Sequence, residues 1–97
     1  MTIVHVILFK VKPTAEQEAF VTNVKTLATL PGVHNFSIGP TFTKERANGY
    51  THAMVMEFES KEALNAYSVS DAHQQVIKTH IAPNIEPGST MCLDYEK

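Results

Sequence analysis

The sequence contains no tryptophan and one cysteine, Cys92, among its 97 residues. A lone cysteine cannot form an internal disulfide, so the fold does not depend on oxidation and suits a reducing compartment such as the cytoplasm. A surplus of positive charge is also missing, because eight scattered Lys and Arg residues stand against ten Asp and Glu residues. The chain therefore has no basic footprint for a phosphate backbone, and nucleic acid is not an expected partner.

Long hydrophobic runs are absent as well. The longest one near the N-terminus covers residues 3–9 and is interrupted by His5. A bilayer crossing needs about 20 apolar residues, so we expect no membrane span, and no basic segment or cleavage site indicates a signal peptide. The composition, with 43% hydrophobic and 19% charged residues, is typical of a globular protein. Without repeats or linkers, residues 1–97 are predicted to form one domain.

Hydrophobic periodicity predicts four strands, over residues 3–9, 33–38, 50–58 and 90–95. The first and third are dense in apolar residues, whereas the second is short and ends at Gly39-Pro40. A polar connection rich in turn residues separates the second strand from the third.

Three helices are predicted between these strands. Thr14 and Gln17 have the spacing of a capping box for the first helix, which ends at Pro31-Gly32. Ser60 begins the second helix, and Ser70 or Asp71 begins the third. The order β-α-β-β-α-α-β predicts an α+β fold of the ferredoxin-like βαββαβ type, a four-stranded antiparallel sheet with helices on one face.

Both faces of the first strand are apolar, which a two-layer domain with one solvated sheet face does not explain. The helices cover one face only. We therefore expect a homodimer, a dimeric α/β barrel, in which a second copy covers the other face. The residues assigned to that face are Val4, Val6, Leu8, Ala53 and Val55.

His5 and His52 lie in the middle of the two most apolar strands, where a buried imidazole needs a polar partner. The first and third strands are neighbours in this fold, so the two histidines are predicted to lie side by side. Tyr67 and His73 flank a bend between two helices and are expected to face the same side of the sheet. These four side chains would form a pocket, although each buried histidine could instead be satisfied by a backbone carbonyl or water.

Several short motifs together resemble the stress-responsive A/B barrel (Dabb) family. They are Val4-His5-Val6, Gly49-Tyr50-Thr51-His52, Tyr67 with Asp71-Ala72-His73, and Leu93-Asp94-Tyr95. The resemblance covers nearly the whole chain, and it extends to the plant polyketide cyclases of the family, in which a tyrosine and a histidine have the spacing of Tyr67 and His73.

This resemblance implies an intramolecular aldol closure of a poly-β-keto chain without metal or organic cofactor. His73 would be the general base, and Tyr67 would hold the carbonyl oxygen that gains charge. His5, His52 and Asp94 would contact the substrate. Four apolar residues would receive an alkyl tail: Ile7, Phe20, Val24 and Leu27.

Other interpretations stay open. The same pocket could hold a small apolar ligand, or simply pack, in a stress-responsive binding or structural homodimer. A zinc site of His5, His52 and His73 is conceivable but lacks closely spaced ligands, so no metal is expected. His34 is predicted to lie at a surface or edge, and Cys92 is expected to be a small core residue.

Overall fold

The computed structural model describes every residue from Met1 to Lys97. A single antiparallel sheet contains the strands β1 (Ile3–Phe9), β2 (His34–Pro40), β3 (His52–Phe58) and β4 (Met91–Glu96), in the spatial order β2-β3-β1-β4. This order confirms the ferredoxin-like α+β arrangement. The central strand β1 is rich in β-branched residues, which favour strands.

The helices are short and pack on one face of the sheet. They are α1 (Gln17–Val24), α2 (Lys61–Val69) and α3 (Asp71–Val76). A 3-10 turn extends α1 over Lys25–Thr29, and a π-helical turn extends α3 over Ile77–Ile81. None of these helices combines the length and hydrophobicity that a membrane crossing requires.

Serine caps start two of the helices, as predicted. The hydroxyl of Ser60 accepts a hydrogen bond from the Ala63 amide at 3.1 Å, and that of Ser70 accepts one from the His73 amide at 3.2 Å. The predicted capping box of α1 is wrong. Residues 13–15 form a turn closed by the Lys12 carbonyl, and the Gln17 amide group donates to that same carbonyl at 3.0 Å.

The hydrophobic core lies between the helices and the two central strands. Alternate residues of β1 and β3 point into it, as the strand period of two requires. This burial of apolar surface is the main stabilising term for the fold. The core residues are Ile3, Ile7, Phe9, Val11, Phe20, Val24, Leu27, Met54, Met56, Phe58, Tyr67, Ile81 and Ile85.

The edge strand β2 departs from the predicted alternation. His34 pairs with Glu57 and Ser37 pairs with Val55, so three residues of β2 span two residues of β3. Asn35, with φ of +50°, takes up the extra residue in a bulge. His34 therefore lies on the helix-free face with Ser37, and it is exposed at the edge as predicted.

Candidate functional site

The pairing register separates the two strand histidines. His5 lies opposite Met56, whereas His52 lies opposite Phe9 at the other end of the strand pair. Four residues of strand correspond to about 13 Å. The prediction that these imidazoles lie side by side is therefore wrong. The same separation excludes a zinc site of His5, His52 and His73.

A cavity of about 300 Å³ lies between the helical layer and the β1–β4 edge of the sheet. Its wall is mostly apolar, and His5, His73 and Cys92 are among its polar residues. Among the apolar residues predicted for the substrate, only Ile7 lies here. The other lining residues are Phe9, Met54, Ser68, Ile77, Ile81, Ala82, Ile85 and Thr90.

His73 is held in one tautomer by the backbone. Its Nδ1 lies 2.8 Å from the Ser68 carbonyl oxygen, which can only accept, so Nδ1 carries the proton. Nε2 of the neutral ring then keeps its lone pair and can act as a base. The bend at the Ser70 cap between α2 and α3 sets this contact, because it turns the first residues of α3 back toward Ser68.

Tyr67 packs behind His73, with its ring centroid 4.3 Å from the His73 ring and 6.3 Å from the His5 ring. It is buried and does not line the cavity surface, and its hydroxyl has no hydrogen-bond partner. Burial raises the pKa of the Tyr67 phenol, so the group remains protonated at neutral pH. The structure therefore brings Tyr67, His73 and His5 together.

Pairing of β1 with β4 places Asp94 opposite His5 and Cys92 opposite Ile7. His5 Nδ1 donates to the Asp94 carboxylate and lies 3.7 Å from Cys92 Sγ. Cys92 is exposed at the sheet edge rather than in the core, which corrects the sequence-based expectation. Partial burial and the nearby Asp94 charge raise the pKa of the Cys92 thiol, so it is a poor nucleophile.

His52 belongs to a different environment. Its Nδ1 lies 2.8 Å from Thr51 Oγ1, its ring packs edge-on to Phe20 at 5.5 Å, and its Nε2 is buried without a partner. Burial lowers the pKa of His52, which keeps the ring neutral. Phe20, Val24 and Leu27 are at most 2% exposed and fill the core, so the prediction that they line an open pocket is wrong.

The sequence analysis missed most of the cavity wall. Ile77, Ile81 and Ile85 come from the segment after α3, to which the sequence analysis assigned no lining residue. A π-helical turn, which recurs at functional sites, places Ile77 and Ile81 there. Pro83 follows this turn, inside the short 3-10 turn Ala82–Asn84.

The sheet order and the placement of the helices define the class of ferredoxin-like α+β proteins. Comparison with known proteins narrows this class to a family. The chain matches the family described as the stress-responsive A/B barrel domain (Dabb) over residues 3–97, and it belongs to that family.

One curated relative is a stress-response A/B barrel domain-containing protein of Arabidopsis thaliana. It is 32% identical over 82 residues, which cover 81% of this chain and 31% of the relative. The chain thus spans about a third of the length of that plant protein.

Solved structures show the same fold. A Dabb family protein of Mesorhizobium loti superposes with a TM-score of 0.85 at 21% identity, covering 99% of this chain and 96% of that one. A Thermobifida fusca protein described as dimeric gives 0.80 at 23% identity, covering 100% and 92%. Hydroxynitrile lyase of Passiflora edulis gives 0.82 at 19% identity, covering 97% and 91%.

Proposed function

We propose that this Dabb protein is a cofactor-independent enzyme of the polyketide cyclase or lyase kind. Its substrate is a small poly-β-keto or related carbonyl compound bound in the cavity between the helices and the β1–β4 edge. The observation that carries the proposal is the His73 imidazole, which lines an apolar cavity with its Nδ1 proton committed to the Ser68 carbonyl.

The chemistry follows from the tautomer of His73. A carbon flanked by two carbonyls is acidic enough for a neutral imidazole to remove its proton through Nε2. The resulting enolate carbon attacks a second carbonyl of the same chain, which forms one carbon–carbon bond and an alkoxide. The protonated His73 returns its proton to that oxygen, so the enzyme ends as it began.

Tyr67 serves the oxygen that gains charge. Its phenol is protonated and has no partner within the protein, so its donor capacity is uncommitted. Such a donor in a water-poor site stabilises developing negative charge strongly. Because Tyr67 lies behind His73 in the absence of substrate, this role requires the substrate oxygen to reach past the His73 ring.

His5 and the apolar wall complete the site. His5 is oriented by Asp94, and Ile7, Ile77 and Ile81 offer a surface for an alkyl chain. The P. edulis hydroxynitrile lyase supports the proposal only in that its fold carries an enzyme.

Turnover of a tetraketide thioester, followed as cyclised product, tests the assignment. Loss of a positioned general base costs about 10²–10⁴-fold, so His73→Ala should lose that much activity while keeping the circular dichroism spectrum. Tyr67→Phe should also lower kcat, because it removes the hydroxyl donor. The fold should be kept, because the aromatic ring stays in the core. Exposed His34→Ala is the matched control and should behave as wild type. Undiminished turnover in His73→Ala would show that the base is assigned wrongly.

A homodimer that works in the cytoplasm completes the proposal. The helix-free face carries Val6, Leu8 and Val55, extended by Leu93 and Tyr95 of β4, which are 60% and 56% exposed. Exposed apolar residues in such a row mark a protein interface, and the T. fusca protein of this fold is described as dimeric. Leu93→Lys should yield monomers in sedimentation analysis, and an unchanged sedimentation coefficient would contradict this interface.

A non-catalytic ligand-binding protein is the second candidate, favoured by the mostly apolar lining of the cavity. In that case an alkyl β-diketone raises the melting temperature by mass action, and no product forms from any tested ketide.

A further inference from the structure

We propose that His5, Cys92 and Asp94 form a binding site for a single zinc ion at the β1–β4 edge of the sheet. These three side chains present one nitrogen, one sulfur and one carboxylate oxygen within 4.8 Å of one another. The site does not rest on the proposed aldol chemistry, because the base His73 is not one of the ligands. The orientation of His5 by Asp94 described above applies to the metal-free protein.

The strand pairing explains why the three groups meet. Asp94 is the direct neighbour of His5 across the β1–β4 ladder. Cys92 precedes Asp94 by two residues, so its side chain emerges on the same face of β4. Two hydrogen-bonded strands therefore hold all three donors, and this rigid support suits a metal site.

Two of the three distances between the donor atoms are close to those of a tetrahedral ion. Zinc ligands 2.0–2.3 Å from the metal lie roughly 3.3–3.6 Å apart when the bond angles are tetrahedral. Cys92 Sγ is 3.7 Å from His5 Nδ1 and 3.8 Å from Asp94 Oδ2, close to these edges. The hydrogen bond between His5 and Asp94 is shorter, so the carboxylate must move back to admit the ion.

The donor set selects the metal. A thiolate with an imidazole suits zinc and disfavours magnesium or calcium, which prefer oxygen ligands. Thiolate and carboxylate charges together neutralise a divalent ion, and His5 is only 8% exposed, so solvent on that side is restricted. Three protein ligands leave a fourth position for water or an oxygen ligand, as in open zinc sites. His5 and Cys92 also line the cavity, so the ion would lie in its wall.

Binding has a defined proton balance. The Cys92 thiol loses its proton when sulfur bonds to zinc, and His5 binds the ion through Nδ1 with the ring proton on Nε2. Zinc binding therefore releases the Cys92 proton to solvent. If His5 and Asp94 only form a hydrogen bond and the Cys92 thiol takes no part, the chain binds no metal and releases no proton.

Calorimetry of the full chain with zinc chloride tests the site, repeated in two buffers of different ionisation enthalpy to count the released proton. We expect one ion per chain and a fall in affinity in Cys92→Ser and Asp94→Asn that exceeds the about 10–100-fold loss typical of outer-shell substitutions. His34→Asn, which alters an exposed histidine elsewhere, should bind as wild type.

Cobalt(II) provides a second measurement that reports the sulfur directly. Wild-type protein should show a thiolate-to-cobalt charge-transfer band that Cys92→Ser lacks. Both substitutions are at exposed positions, so circular dichroism should confirm the fold. Absence of zinc binding, equal affinity in Cys92→Ser, or a cobalt complex without the thiolate band would overturn the proposal.

Discussion

The two buried strand histidines occupy opposite ends of one sheet, and their surroundings differ. At the β1–β4 edge, His5 pairs with Asp94, approaches Tyr67 and lines a cavity. On β3, His52 contacts Thr51 and Phe20 and leaves Nε2 buried without a partner. Both are histidines in apolar strands, and only one of them belongs to the cavity.

This difference shows that neighbouring elements decide what a buried histidine does. Around His52 the helix α1 places bulky Phe20 against the ring, and the openings beside His52 have mainly polar linings. Around His5 the helical layer changes direction at the bend before α3, and the π-helical turn that follows leaves an opening. The packed core at the His52 end stabilises the fold, and the apolar cavity at the His5 end is available for chemistry.

The largest effect on the free energy of unfolding is expected from truncating an apolar residue beside each histidine, Phe20 near His52 and Ile77 near His5. Phe20→Ala should lower the free energy of unfolding by about 3–5 kcal/mol, because it leaves a cavity in a closed core. Ile77→Ala, at a half-buried position on the cavity wall, should cost less than about 2 kcal/mol. Urea unfolding measures both. Equal costs would contradict the contrast between the packed core at Phe20 and the cavity wall at Ile77.

Acidification should affect stability through His52. Burial lowers the pKa of His52, whereas the unfolded chain binds its proton near pH 6.5, so the unfolded state takes up more protons below that pH. The stabilising contribution is complete above about pH 6.5 and is lost as the pH falls through the folded-state value.

His52→Gln should therefore lose less stability than wild type between neutral and mildly acidic pH in urea unfolding. The exposed His34→Gln serves as the control and should follow wild type. The same pH dependence in His52→Gln and wild type would show that His52 is not the titrating group.

Filling the cavity should have the smallest effect on stability. Ala82 is exposed and lines the cavity, so Ala82→Leu should change the free energy of unfolding by less than about 1 kcal/mol. It should nevertheless abolish the rise in melting temperature produced by an alkyl β-diketone. A rise equal to that of wild type would mean that the ligand binds elsewhere.

The sequence contained enough to predict the fold and the faces of the central strands. Alternation of apolar residues places His5 and His52 on the helix side correctly, and the serine caps locate α2 and α3. Hydrophobic periodicity does not specify the register of a strand against a distant partner. The Thr51 amide donates to the Phe9 carbonyl at 2.8 Å. This contact is part of the strand register that separates His5 from His52.

The contents of the site were predicted in part. The spacing of Tyr67 and His73 across a capped bend indicated that they meet, and they do. The grouping of Cys92 with His5 depends on the β1–β4 pairing, which nothing local to either residue encodes. Phe20, Val24 and Leu27 were assigned to a pocket because periodicity identifies buried residues without showing which of them border empty space.

Imidazole NMR spectra of the five histidines, recorded while an alkyl β-diketone is added, test the central claim most directly. We predict that the ring resonances of His73 and His5 shift with the ligand, while those of His52 and His34 stay in place. Shifts confined to His52, or an unmoved His73 at saturating ligand, would contradict the assignment of the cavity at the β1–β4 edge as the functional site.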